Sequence, residues 1–541
     1  MQIHPTRASV DLALTGIGAL AVGLIAQEPA MVAWTGALLV GLALARAVTM
    51  VSVARVRAAG FEMLWRGDER MRRIGRGETI ELSAEIRNRD SLAARYVHLR
   101  AVSSPDLEVE LEPTSGEVPA AGRLAIQVRV HAPRVGQHGI HGLSLEVQGS
   151  PGLFEVPLTF ANPYGVEVLP QTYSALLRSA RGGRSRMNAQ EGRAGVFAGD
   201  GSELRELRDH QPGDPWRRIA WRASARRGKL LVREHEREER DVVWLLLDAS
   251  VELWSGKPGV APLDHAIDEV AAVLGRHLAR GDAVGLGILA SRCLTWIPPS
   301  RGATHLMRSL NALATDTGCW DADRSDLDEA DVAARVIEHM RPLDPGGSAR
   351  LRPGEPDKVL RRAERVRARA PFTGLLPNAG SGRERRLRRY LSAFGMHAPP
   401  RMEPERTKTD LTLTHTLKRL LYERPRPSIV YLWSPAPSFE RMPQLEKALS
   451  ELPLRRLDVR WVCMRTEQSI PREGSNLAEP VADALGIRMR IARERGEQAL
   501  RRWGLRIEPL RFHAAKRGPL ARPTDAAASE AGTPLDGAKN A

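Results

Sequence analysis

The chain has 541 residues, with 80 lysines and arginines against 65 aspartates and glutamates. That length excludes a single small domain and accommodates two or three full cores. The net charge of +15 favours something acidic as partner, whether a membrane surface, nucleic acid or a protein, without choosing among them. Three scattered cysteines, Cys293, Cys319 and Cys463, form no CxxC pair. They argue against a disulfide framework and against a zinc site, and they fit a reducing compartment.

The first elements are two apolar runs, ASVDLALTGIGALAVGLIA and AMVAWTGALLVGLALA, separated by the short loop QEP. Each approaches the length needed to cross a hydrocarbon core of about 30 Å. Gly16, Gly18, Gly23, Gly36 and Gly41 are spaced to let two helix backbones approach. A cleaved signal peptide is the competing reading, and the second run so soon after the first speaks against it. Arg46, Arg55, Arg57, Arg66, Arg70, Arg72 and Arg73 follow the second run, whereas the loop carries no basic residue. The positive-inside rule then predicts a two-pass anchor in the inner (cytoplasmic) membrane over residues 1–56, with the main body in the cytoplasm.

Residues 57–172 alternate in short period-two runs, among them ETIELSAEIRNRD, LEVELEP, RLAIQVRVHAP and YGVEVLP, broken by Gly, Pro, Asn and Asp. They predict a β-sandwich serving structure or interaction. Residues 173–239 read as a basic linker. From 240 to 512 buried strands alternate with amphipathic helices, which predicts a doubly wound α/β domain. Its strands are DVVWLLLDAS, AVGLGILAS, an edge strand CLTWIPP, PSIVYLWSP, LDVRWVCM and GLRIEPLRF. Helices are expected at 304–314, 327–340, 444–452 and 481–503. An insertion at 346–408 holds sixteen basic and six acidic residues and is expected as one or two exposed basic helices. Residues 513–541 read as a disordered tail.

The strand ending DASVE brings Asp248, Ser250 and Glu252 to the carboxyl edge of the sheet, where ligands of open α/β folds bind. Oxygen donors of this kind suit Mg²⁺, with a further hydroxyl from Thr409. Ser434 and Pro435 stand where another acid would complete such a set, so the expected Mg²⁺ site is degenerate. The bland alternative is that Asp248 and Ser250 only cap a loop.

Just upstream lies LRDHQPGDPWRRIAWRASARRGKLLVREHE. Gly213 and Asp214 supply turn chemistry, and on a helix Arg218 and Trp221 would share a face. Arg226, Lys229 and Arg233 meet the acids beginning at Glu234. Such mixed charge argues against a nucleic-acid platform and suggests an ion-paired collar docking the sandwich against the sheet domain. This stretch, followed by WLLLDAS, resembles the signature of domain-of-unknown-function family 58, whose members are MoxR-associated, von Willebrand A-like membrane proteins. The resemblance singles out Gly213, Asp214, Arg217, Arg218, Trp221, Ser224, Arg226, Gly228, Lys229, Arg233 and Glu234. It implies a partner among MoxR-type AAA+ ATPases and other von Willebrand A-like membrane proteins, and a role in maturing envelope or metal-dependent complexes. Ala220 departs from the acidic or polar residue expected between Ile219 and Trp221.

No H-E-x-x-H, G-x-S-x-G or G-x-x-x-x-G-K-[ST] occurs, so protease, esterase and P-loop readings lack their working parts. The expectation is a membrane-anchored, non-catalytic adaptor whose receptor loop opens at Asp248 and Ser250. The alternative is a basic surface at 346–408 binding anionic lipid or nucleic acid.

Overall fold

A computed structural model describes residues 3–67, 69–149, 151–171, 193–212, 214–239, 241–254, 256–402, 406–437, 443–454, 457–466 and 478–510. The tail at 513–541 and the linker segment 173–192 lie outside the described residues.

Strand β1 (His4–Pro5) leads into helix Arg7–Ile25, which Thr6 caps by accepting a hydrogen bond from the Ser9 amide. Helix Pro29–Gly60 returns alongside it. Both are long and apolar enough to cross a membrane, and only 17% of each apolar window is buried within the protein. Two of the five glycines make the close approach expected of them. A Cβ on Gly16 would lie 2.9 Å from the Leu38 side chain, and one on Gly23 would lie 3.3 Å from Met31. Gly18, Gly36 and Gly41 face nothing within 4 Å. The second helix has 32 residues, about 48 Å at the α-helical rise and more than a bilayer core requires. Its excess is used on the next domain: Thr49 and Val53 are buried, the latter in the sandwich core, and Arg55 pairs with Asp90 at 3.3 Å.

The sandwich comprises β2 (Phe61–Trp65), β3 (Met71–Gly75), β4 (Thr79–Asn88), β5 (Ala94–Ser103), β6 (Glu108–Glu112), β7 (Gly116–Val118), β8 (Arg123–His131), β9 (Gly136–Gln148), β10 (Phe154–Phe160) and β11 (Tyr164–Leu169). One sheet runs β1-β10-β9-β11-β3 with β5 also on β9 and β7 on β5; the other runs β2-β4-β8-β6. Alternate residues of each meet in one core, Ile86, Ile126 and Val128 against Leu143, Leu145 and Val166. Period-two burial of this kind is what fixes register in a half-solvated sheet.

After the ribbon β12 (Arg193–Asp209) and β13 (Leu231–Glu239) comes a six-stranded sheet. It contains β14 (Val242–Asp248), β15 (Ala283–Leu289), β16 (Cys293–Ser300), β17 (Ile429–Ser434), β18 (Asp458–Cys463) and β19 (Arg506–Pro509). The order is β16-β15-β14-β17-β18-β19, parallel except for the antiparallel edge β16. Counted along the chain this is 3-2-1-4-5-6, the order of a doubly wound fold, with its switch point between β14 and β17. Both faces are covered, so β14 is apolar throughout. Val243, Leu245 and Leu247 pack on helices Pro262–Ala279 and Ala303–Thr315. Trp244 and Leu246 pack on helices Arg406–Leu420, Pro443–Leu454 and Ala478–Arg502.

The 346–408 insertion is not the pair of free basic helices its composition suggested. Helices Pro356–Arg367 and Gly382–Ala393 join helix Glu329–Leu343 in a core of their own, built on Val336, Met340, Val359, Leu387 and Phe394. Arg388 is buried, donating to Glu384 at 2.8 Å, Ser325 at 2.7 Å and the Leu327 carbonyl at 2.7 Å. The bundle also lies on the sandwich, where His141 of β9 donates to the Phe394 carbonyl at 2.8 Å and Ser104, just after β5, donates to the Gly395 carbonyl at 2.8 Å. Two buried ion pairs join sandwich and sheet domain. Arg76 Nε donates to Asp268 at 2.8 Å and Arg134 Nε to Asp264 at 3.1 Å, both acids lying on helix Pro262–Ala279.

Candidate functional sites: the closed sheet edge and the signature ribbon

Asp248 ends β14 and Ser434 ends β17, so the two flank the switch point. The loop after β14 is closed. Asp248 is 2% and Ser250 5% exposed. Asp248 Oδ1 accepts the Ser250 amide at 3.0 Å, and its Oδ2 accepts the Ser434 hydroxyl at 2.7 Å. The same Oδ2 takes Arg406 Nη1 at 2.7 Å. That guanidinium also reaches Glu252 at 3.0 Å, Asp410 at 2.8 Å and Ser434 at 3.0 Å.

Arg406 therefore sits where the sequence placed Mg²⁺. Asp248, Ser250, Glu252 and Thr409 do come to one edge, yet their carboxylates converge on a fixed organic cation. The donor set fits a planar fork rather than an octahedral ion, and a dication would have to displace Arg406 to enter. The expectation of an open receptor loop at Asp248 and Ser250 is corrected on the same ground. Thr409 is buried one turn into the helix, and the Ser250 hydroxyl is buried with no hydrogen-bond partner among the described residues.

Burial works against charge here, and the carboxylates outweigh it for the arginine. Desolvation opposes the Arg406 charge, but the fields of Asp248, Asp410 and Glu252 hold it protonated well beyond its ordinary range. Burial pushes the carboxyls of Glu252 and Asp410 up, with Arg406 pulling the other way. Arg406 opens its helix, the end where the macrodipole disfavours a cation, so its position depends on these acids. Sequence reading passed over it. The available signal was the Arg406/Asp410 spacing of four at a helix start just after the insertion.

The signature stretch is not one continuous helix. Trp216–Arg218 is a single 3-10 turn, Ile219 bridges to Val232, and a short helix spans Trp221–Arg227. Arg218 and Trp221 thus share no helix face. The unit is held by bonds within itself. Arg208 forks onto Asp214 at 2.7 and 2.8 Å, and that hydrogen-bonded pairing holds the Asp214 carboxyl down at about 2. Ala220 donates its amide to the Leu231 carbonyl at 2.8 Å, the buried Ser224 hydroxyl accepts the Leu231 amide at 2.9 Å, and Lys229 pairs with Asp209 at 2.9 Å. Gly228 closes the short helix at φ +66°, a left-handed position that favours glycine. Ile219, Leu231 and Val232 form its small interior. Ala220, the departure from the family pattern, is buried against this interior and needs no polar group.

What remains outside is aromatic and basic. Trp216 is 67% and Trp221 58% exposed, and Arg217, Arg226, Lys229 and Arg233 are exposed as well. The collar expected between sandwich and sheet domain is instead supplied by the Arg76–Asp268 and Arg134–Asp264 pairs. Gly213 and the side chain of Glu234 lie outside the described residues.

Fold and site together define a two-domain body on an apolar helical pair, with a doubly wound sheet whose ligand edge is closed by its own arginine. Residues 206–342 match the family described as "Protein of unknown function DUF58", and the signature read from the sequence opens that match. Uncharacterized protein Rv1480 of Mycobacterium tuberculosis and Uncharacterized protein Mb1516 of Mycobacterium bovis are each 31% identical over 147 residues, 27% of this chain and 46% of theirs. The chain thus spans just under half the length of these relatives. Among solved structures, a PapD-like domain of human CEP192 overlaps 21% of this chain and 87% of its own at 14% identity, with a TM-score of 0.17. Native alpha-2-macroglobulin from Escherichia coli, from domain MG7 to the C-terminus, overlaps 79% of this chain and 62% of its own at 12% identity, with a TM-score of 0.16. Overlaps this loose carry no argument.

Proposed function

We propose that the protein is a membrane-anchored, non-catalytic adaptor that presents its cytoplasmic body to a MoxR-type AAA+ ATPase. The docking surface in this reading is the signature ribbon. The observation that carries it is the exposure of Trp216 and Trp221 beside Arg217 and Arg226 on a self-contained unit. Exposed apolar patches need a reason, and tryptophan with arginine is the composition of binding hot spots. The basic rim fits an acidic face on the partner.

The sheet supports a von Willebrand A-like assignment through its 3-2-1-4-5-6 order and the Asp248-x-Ser250 loop at the switch point. Its closed edge favours a structural role over metal-bridged recognition. The two apolar helices support a two-pass anchor in the inner membrane, with the sandwich against the bilayer face through the buried end of helix Pro29–Gly60. A lipid- or nucleic-acid-binding insertion has less to rest on. Arg362 pairs with Asp344, Arg383 with Glu329, and Arg386 with Glu364, so part of its charge is already engaged.

The test is co-purification of the detergent-solubilised protein with a co-encoded AAA+ ATPase. Recovery of the ATPase with the intact chain, lost with the Trp216→Ala/Trp221→Ala variant, supports the proposal. Equal recovery with both removes the ribbon from it.

A further inference from the structure

We propose a divalent-metal site of the zinc class at the junction of sandwich, sheet domain and helical insertion, held by Asp106, His138 and His397. One ligand atom from each lies within 4.8 Å of the other two. Asp106 is in the turn between β5 and β6, His138 is on β9, and His397 follows helix Gly382–Ala393. A metal there would tie the insertion to the sandwich.

Both ring nitrogens of His397 are buried with no hydrogen-bond partner among the described residues, and so is Nδ1 of His138. The Nε2–H of His138 donates to the Arg134 carbonyl at 3.1 Å, which fixes the ring's orientation as the outer hydrogen bond of a ligating histidine does. Leaving a buried polar group unsatisfied is costly, so the unpartnered nitrogens on both rings call for a bound partner, and one ion takes one nitrogen from each. The His397 ring is held by packing instead. It stacks on Trp320 at 4.2 Å and lies 5.6 Å from Trp254. Gly318 leaves room for it, since a Cβ there would come 2.9 Å from the ring. An imidazole fixed by its faces, with its nitrogens hidden from water, is prepared to ligate.

Distances and charge bear on which ion enters. At the widest spacing, an ion centred among the three atoms would lie about 2.8 Å from each, ~0.7 Å beyond a zinc–nitrogen bond and within reach of small side-chain rotations. Two imidazoles and a carboxylate suit a borderline cation such as Zn²⁺ better than Mg²⁺. Binding needs neutral imidazoles. Burial, then the fields of His138, Arg134 and Arg324, keep His397 neutral well below its ordinary range, and burial does the same for His138. Those arginines also oppose a dication. Asp264, 3.1 Å from Arg134, and Asp106, 3.9 Å from it, offset that charge. The cysteines, whose scatter argued against zinc, take no part.

The test is equilibrium dialysis of the detergent-solubilised full chain against Zn²⁺, with metal counted per chain and thermal melts run in parallel. The expected result is one Zn²⁺ per chain and a melting point that rises with zinc concentration. His397→Gln and Asp106→Asn should each weaken binding at least tenfold, while the exposed His415→Ala variant binds as the parent does. Near-UV circular dichroism shows whether each variant is folded, and the conservative Asp106→Asn keeps the test decisive if His397→Gln is not. Zinc uptake that survives in folded His397→Gln or Asp106→Asn is adventitious and overturns the proposal. So does a folded parent chain that takes up no zinc, which would leave the nitrogens to buried water.

Discussion

Replacing Arg406 with alanine tests the closed sheet edge. The substitution leaves Asp248, Asp410 and Glu252 facing one another at side-chain exposures of 3, 6 and 20%. Breaking a buried pair by removing one partner costs about 3–5 kcal/mol, because the remaining charge is stranded. In a domain of about 150–250 residues each kcal/mol is worth about 2–4 °C, so the melt should fall by about 10 °C. Trp433 and Trp461, packed beside Ser434, make tryptophan fluorescence a local reporter. The pH dependence has a definite sign. Without the arginine, the carboxyls of Glu252 and Asp410, already pushed up by burial, rise further. A native group that holds its proton more tightly than the unfolded one loses stability as pH rises. The variant should therefore be less impaired at pH 5 than at pH 8. Mg²⁺ in the millimolar range should raise its melting point and leave that of the parent unchanged. A variant within 1 °C of the parent at both pH values and indifferent to Mg²⁺ would refute the arginine's role as the resident cation.

Three further outcomes follow from the same structure. Arg76→Ala strands Asp268, whose side chain is 8% exposed, and should cost about 3–5 kcal/mol; a urea midpoint equal to the parent's would mean the interdomain pair is not structural. His141 is buried, donates its Nε2–H to the Phe394 carbonyl at 2.8 Å, and is pushed down by burial to about 4. An unfolded histidine takes up its proton near 6.5, so native stability falls as pH drops from about 6.5 toward 4, by up to about 3 kcal/mol from this group. Urea titrations of His141→Gln should show a shallower loss across that window, and an unchanged slope would contradict it. Removal of residues 1–44 keeps the packed end of helix Pro29–Gly60 on the sandwich and should release the protein from carbonate-washed membranes. A truncated chain that stays in the pellet would place the anchor elsewhere.

The fold was legible where burial is periodic. Helix Pro262–Ala279 announces itself by apolar residues repeating every three or four, and β14 by an unbroken apolar run that is buried on both faces. The edge strand β16 was legible too, since prolines in CLTWIPP suit only an edge. Strands β2, β3 and β10 were less visible because they are short or interrupted by charge. The insertion misled because Leu387, Tyr390 and Phe394 form a narrow apolar stripe among its many arginines. At the sheet edge, the sequence brought Asp248, Ser250, Glu252 and Thr409 together but could not show what they surround. Arg406 is remote from Asp248 in sequence, and only the parallel pairing of β14 and β17 brings its helix start above the acid. The trio Asp106, His138 and His397 comes from three separate elements and has no spacing to read.

The adaptor reading stands or falls on the ribbon. The most direct measurement is the affinity of the solubilised chain for a co-encoded MoxR-type ATPase, compared with that of Trp216→Ala/Trp221→Ala. Both side chains are more than half exposed, so the double variant should keep the parent's melting point. The account predicts that it loses at least tenfold in affinity, with the loss mainly in dissociation rate. Equal affinity in a folded double variant would contradict it.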